Sequence, residues 1–322
     1  MTTPQRTALR IAPPPGDPDG VDLAGLARGK VAPLRHPGRW IASVVALVLL
    51  AQFVHALVTN PVFQWHAFGY WFFRPVIVHG LLLTLELTGL SAAFGLVGGL
   101  VLALMRRSRS PLLQAISWGY VWVFRSIPLI VLLLFLANVT ALYSSLSFGV
   151  PFGPSFLRFN ANDVLSFFVV AVLGLSLNEA AYAAEIVRSG IISVDSGQLE
   201  AAAALGLPRW RQYRRVILPQ ATRTIIPAYA NQLIGLLKGT SVVYITSLLE
   251  LFGEVETQAS TNSGQIIPLL MVGTVWYIIL TSVLSVVQYY VERYFARGAT
   301  RALPPTPFGR LRSTLRTVGV VR

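Results

Sequence analysis

The chain has 322 residues, 54% of them hydrophobic and only 12% charged, against about a quarter charged in soluble domains. Its mean hydropathy of +0.62 excludes an ordinary soluble fold of this size. The net charge of +13 asks for an anionic partner, and the absence of cysteine excludes disulfides, thiol catalysis and cysteine-ligated metal.

In chain order, residues 1–39 carry Pro13, Pro14 and Pro15 and little apolar content, so a disordered arm is expected. The apolar run 41–58 follows Trp40 without a short charged lead or a small-residue cleavage site, and is expected to stay as an anchor helix. Residues 60–78 hold Phe63, Trp65, Phe68, Tyr70, Trp71, Phe72 and Phe73, which suits an interfacial segment where rings sit at headgroup level. Further apolar runs follow at 79–105, 126–147, 164–186, 224–249 and 266–291. Each is long enough to cross a bilayer, which takes about 20 residues. The reading is an all-α membrane protein with six transmembrane helices packed as a bundle, since lipid leaves no solvent for stray backbone groups. Arg125 and Pro128 blur the start of the third span, and Pro227, Asn231, Gln232 and Lys238 interrupt the fifth, so both are candidates for breaks or tilts. Gly95 and Gly99 mark close helix packing in the second span. Residues 148–162, with Pro151, Gly153 and Pro154, read as a turn-rich connection, and 292–322 as a basic tail.

Arginine and lysine sort by side. Arg28, Lys30, Arg35 and Arg39, then Arg106, Arg107 and Arg109, then residues 189–222, then the segment from Arg293 to Arg322 fall together if the N-terminus is inside. The outer segments keep only Arg74 and Arg158. The positive-inside rule therefore selects cytoplasmic N- and C-termini and puts Glu250, Glu254 and Glu256 in the last external loop. A basic face sorted this way suits anionic lipid headgroups of the bilayer and not nucleic acid.

The segment 189–222 is a short amphipathic insert between spans. Ala201 to Ala204 favour a helix, Gly206 suits a left-handed end, and Pro208 suits the start of a second helix that Pro219 is expected to stop. Trp210, Tyr213 and Ile217 recur at helical spacing, with Arg211, Arg214 and Arg215 elsewhere on the surface. One face is free to dock while another stays wet.

Glu200-Ala201-Ala202, then Gly206, then Val216, Leu218 and Pro219 resemble the "EAA" loop of ABC importer permeases. The stretches Gly80-Leu81-Leu82-Leu83-Thr84-Leu85-Glu86-Leu87, Phe124-Arg125-Ser126-Ile127-Pro128-Leu129 and Ala181-Tyr182-Ala183-Ala184-Glu185-Ile186-Val187-Arg188-Ser189-Gly190 are similar to the polar amino acid branch of that family, the histidine/glutamine/glutamate type. The resemblance covers about 79–291 and implies a type I importer permease domain, preceded by an added anchor and external segment at 40–78. It implies a second permease subunit, identical or paralogous, a cytoplasmic ABC ATPase dimer on the loop, an extracytoplasmic solute-binding protein, an amino acid substrate and a bacterial cytoplasmic membrane. Glu200, Ala201, Ala202, Gly206, Trp210, Leu218 and Pro219 are the implied coupling residues. A frequent Lys-Asp-Thr-Ser of relatives is here Lys238-Gly239-Thr240-Ser241, without the acid.

Charged side chains inside the spans are the pointers to a pathway, because each costs about 2.5–3.5 kcal/mol near the bilayer centre on insertion scales. Glu86, Glu179 and Lys238, with Asn178, Asn231 and Gln232 beside them, are candidates either for a polar cavity or for structural pairs between helices; Glu185 is expected to pair with Arg188. No nucleotide-binding Gly-x-x-x-x-Gly-Lys-Ser/Thr motif and no convergent catalytic set is present, so no cofactor is expected and ATP hydrolysis belongs to another chain. His36, His55, His66 and His79 lack metal-ligand spacing. A secondary transporter does not need the loop, a membrane enzyme needs a catalytic set, and a channel conducts alone.

Overall fold

The computed structural model describes residues 37–295 apart from 144, 151, 152 and 154. The arm expected over 1–39 and the tail expected over 292–322 fall almost wholly outside these residues. The anchor is helix α1, Pro37–Thr59, which is apolar with no hydrophobic face, as a helix surrounded by lipid should be.

After a 3₁₀ turn at Pro61–Phe63, the aromatic segment folds as α2, Trp65–Phe72. Phe72 stacks on Trp276 with ring centroids 4.8 Å apart, while Trp71 Nε1 donates to Gln265 Oε1 (2.7 Å) and Trp276 Nε1 to the Phe72 carbonyl (2.9 Å). Trp71 and Phe72 therefore pack within the fold, while Trp65, Tyr70 and Phe73 stay exposed.

Three further helices are long and apolar enough to span: α3 at Pro75–Arg106, α8 at Phe167–Ile192 and α13 at Ile266–Phe295. At 1.5 Å per residue, the 32 residues of α3 reach about 48 Å, beyond the roughly 30 Å hydrocarbon core. The other two expected spans are bent pairs. α4, Pro111–Ser126, turns through 100° into α5, Leu129–Ala137, and a helical run at Arg209–Thr246 turns through 47° into α12, Leu251–Thr261. The count thus reaches six when each bent pair is one span.

The third span differs from the expected 126–147. It starts at Pro111, breaks at Ile127–Pro128, and gives way after Ala137 to a single turn, α6 at Val139–Leu142. Pro128 drives Ile127 into the extended region (φ −81°, ψ 127°), as the residue before proline prefers. The connection expected at 148–162 is an antiparallel hairpin, β1 (Ser145–Gly149) and β2 (Ser155–Asn160), with an irregularity at Phe148/Gly149, followed by α7 at Ala161–Val164.

The centre of the bundle is the α3–α8 contact. A Cβ on Gly95 would stand 2.5 Å from Glu179 Cγ, and one on Gly99 2.5 Å from Ala183 Cβ, so these glycines let the helices touch along their backbones. Leu87, Leu133, Leu175, Leu236 and Val243 fill the adjoining core, and Ile77, Leu81, Leu251, Val255, Leu269 and Val272 a second one.

Candidate functional site

The insert 189–222 begins where α8 ends. Asp195 caps α9, Ser196–Ala204, its carboxylate accepting from the Gly197 N–H (2.7 Å). The helix ends in a Schellman motif: Gly206 N–H donates to the Ala203 carbonyl (2.9 Å) and Leu207 N–H to that of Ala202 (3.1 Å). Gly206 sits at φ +68°, and an added Cβ there would meet no atom within 4 Å. Backbone conformation, not space, demands glycine at this position.

Pro208 precedes α10, Arg209–Gln212, and Gln212 Nε2 reaches back to the Leu207 carbonyl (2.7 Å). Pro219 does not stop this second helix. A π-helical turn at Tyr213–Ile217 carries the chain directly into α11, Leu218–Gly239, and Pro219 lies in the first turn of α11. A proline lacks the N–H that would close an ordinary turn and crowds the carbonyl four residues back, and the wider turn accommodates both.

The insert is pinned from one side only. Val194, Ile217 and Ala221 are buried together, with Leu199 and Ile225 against them, and Ala202 is buried on the same helix as the exposed Ala201 and Glu200. Glu200 does not cap α9; Asp195 does, and Glu200 faces outward. Leu205 is 79% exposed, Trp210 58% and Leu218 53%. The rest of the chain leaves these apolar side chains uncovered.

The polar residues of the spans fall into different surroundings. Glu86 is exposed on α3, and Asn231 and Lys238 are exposed on α11. Glu179 is 1% exposed, pressed on Gly95, and its Oε2 accepts from Gln232 Nε2 (3.0 Å). Asn178 donates to the Phe124 carbonyl (3.0 Å). That carbonyl is the acceptor that a residue at 128 would use in a regular helix, and Pro128 has no N–H to give. Asn178 is thereby a repair of the broken span. Glu185 and Arg188 pair as expected, three residues apart. Lys238 borders a cavity of about 390 Å³ with Ser241, Thr274, Tyr277 and Thr281.

One buried acid was not singled out by sequence reasoning. Glu250 is fully buried and caps α12, accepting from Phe252 N–H (3.0 Å), Gly253 N–H (2.9 Å), Tyr277 Oη (3.1 Å) and Thr84 Oγ1 (3.2 Å). Thr84 Oγ1 also accepts from Leu251 N–H (3.0 Å). A Cβ on Gly80 would come within 3.1 Å of the Glu250 carbonyl, so glycine allows α3 to close on this cap. The side-chain partners of Glu250 lie up to 166 residues away in sequence, and glutamate is not a preferred cap, so the local sequence held no signal.

Residues 95–300 match the family described as "binding-protein-dependent transport system inner membrane component". The chain is 44% identical over 273 residues to the arginine transport system permease protein ArgU of Corynebacterium glutamicum, covering 84% of each chain. It is 35% identical over 223 residues to the probable amino-acid permease protein YxeN of Bacillus subtilis, covering 69% of this chain and 92% of that one. Among solved structures, an amino acid ABC transporter crystallised with histidines matches with a TM-score of 0.59 at 31% identity, over 68% of this chain and 94% of that one. With its bundle of straight and bent spans and its helical insert, the chain belongs to the binding-protein-dependent transport system inner membrane component family and is a permease subunit of an ATP-driven importer.

Proposed function

We propose that this chain is the membrane half of a bacterial cytoplasmic-membrane importer for polar amino acids, with arginine the first substrate to test. Two permease subunits, identical or paralogous, line the path; an extracytoplasmic binding protein delivers the amino acid; and an ATPase dimer on separate chains docks on the insert. The observation that carries this reading is the insert itself: a two-helix unit bent by Gly206, seated through Val194, Ile217 and Ala221, and presenting Glu200 and Leu205 outward. Such a unit acts as a lever, because its seat lies on the ends of α8 and α11 and motion of the docked ATPase reaches both helices together. Glu200, Ala201, Gly206 and Pro219 form the coupling face, with Ala201 permitting close approach and Glu200 offering a charge to a basic ATPase residue, while Ala202 is buried beneath it and Trp210 and Leu218 line a groove against α3 and α8.

The amino acid reading is supported by the relatives named for arginine and amino acid transport. Lys238 is the pathway residue of choice, because it borders an open cavity that sets Ser241, Thr274, Tyr277 and Thr281 among Phe252, Val255 and Leu270, and no acid follows it at Gly239. A lysine at the mouth of a cavity attracts an α-carboxylate through its charge. Glu86 and Asn231, both exposed, are secondary candidates on faces open to a second subunit, whereas Glu179 and Asn178 hold helices together. Reconstitution with a candidate ATPase and binding protein, followed by uptake of labelled amino acids, tests the proposal. Uptake that needs ATP and all chains is expected; uptake or conductance by the chain alone would contradict it.

A further inference from the structure

Between the cytoplasmic end of α3, the end of α8 and the insert lies a groove of about 670 Å³. Its wall on α3 is built by Leu100 and Leu104, one turn apart, with Arg107 at the cap that ends the helix. Seven residues of helix place the Arg107 backbone about 10 Å from that of Leu100, so an apolar wall ends in a cation. Val187 and Ile191, one turn apart on α8, continue the apolar lining. The insert closes the third side with Trp210 and Tyr213 and adds a second cation, Arg214, while no lining residue is acidic. Arg107 also donates to the Tyr213 hydroxyl, with its guanidinium 5.2 Å from that ring's centroid, so it is already turned toward the insert.

We propose that this groove binds an anionic phospholipid, with an acyl chain along Leu100, Leu104, Val187 and Ile191 and the phosphate between Arg107 and Arg214. The shape matches an amphiphile: apolar along one axis, cationic at one end, and capped by an indole, a ring that favours headgroup level. The end that carries the arginines is the end that the distribution of basic residues assigns to the cytoplasm. Leu104 is 70% exposed, which suits a wall that meets lipid tails. A lipid seated here touches both α3 and the insert, so it joins the lever to the bundle through a replaceable molecule.

The test is native mass spectrometry of the full chain in detergent, titrated in parallel with dioleoyl phosphatidylglycerol and dioleoyl phosphatidylcholine. The first phosphatidylglycerol should bind at least about fivefold tighter, the effect of one basic residue near an anionic headgroup. The double variant Arg107→Gln/Arg214→Gln should lose that preference, and Leu104→Trp, which fills the groove and keeps both cations, should lose the bound lipid. Arg109→Gln/Arg211→Gln, which alters charges outside the lining, should keep both. No preference in the wild type, its survival in the double variant, or its equal loss in the outer variant would overturn the proposal. So would displacement by millimolar glycerol 3-phosphate, which would show that the headgroup alone binds, or loss of bound lipid on adding the ATPase, which would show a protein occupant.

Discussion

Two breaks in helical structure are handled in opposite ways. At Gly206 the chain turns in the open: φ is +68°, a Cβ would meet nothing, and the flanking Leu205 and Trp210 are exposed. At Ser247–Glu250 the turn is tied into the fold at its last residue: the exposed Ser247 takes φ +65° without being glycine, and the buried Glu250 carboxylate gathers two backbone N–H groups and two hydroxyls from α3 and α13. The first break is satisfied locally by its own cap and leaves its surface to a partner. The second adds to its local bonds from Phe252 and Gly253 the distant hydroxyls of Thr84 and Tyr277. The two breaks thus differ in whether distant elements add hydrogen bonds to the local ones.

The comparison is broken most strongly at Glu250. Glu250→Ala strands buried donors, each costing about 1–3 kcal/mol when unpaired, so a loss of several kcal/mol is expected, read as reduced expression and a lower melting temperature in detergent. Glu250→Gln, which keeps an acceptor oxygen, should retain a larger part of the stability.

Gly206→Val addresses the other break. A β-branched residue at positive φ costs about 1–3 kcal/mol, a strain confined to the insert. Membrane insertion and bundle stability should stay intact while ATP-driven uptake falls at least tenfold. Unchanged ATPase association together with unchanged substrate-stimulated hydrolysis would remove the lever role.

Lys238→Met sharpens the contrast between exposed and buried ions. The side chain is exposed at the cavity, so stability should hold within about 0.5 kcal/mol, as for other surface changes, while uptake fails at low substrate concentration. If Lys238 is instead a structural partner of an acid, stability will fall and a second change at that acid will restore it.

The smallest effect is expected at Ser247→Gly, which relieves the left-handed strain at a cost in chain entropy and should change stability by less than about 1 kcal/mol.

What was legible in the sequence was what is local. The insert was readable because Ala201 to Ala204, Gly206 and Pro208 each carry their own conformational bias, and the Schellman end followed from the glycine. Close packing of α3 was readable from Gly95 and Gly99 four residues apart, but not that its neighbour is α8. Hydropathy found the apolar runs but not their direction, so the third span was placed too late, with Pro128 at its blurred start and not at its middle. Pro219 misled because a proline stops a regular helix, whereas a π turn absorbs it. Glu250 was assigned to an external loop because its reason for being buried lies on Thr84 and Tyr277. Glu179 and Glu86 are both acids within apolar runs, and only the packing of Gly95 and Gln232 separates the buried one from the exposed one.

The cysteine-free sequence makes the central claim directly measurable through Leu205→Cys, one residue before the bend. A membrane-impermeant maleimide should label this position in inside-out vesicles and not in right-side-out cells, and adding the cognate ATPase should protect it. Labelling from the outside, or labelling unchanged by the ATPase, would contradict the account of this insert as the coupling surface.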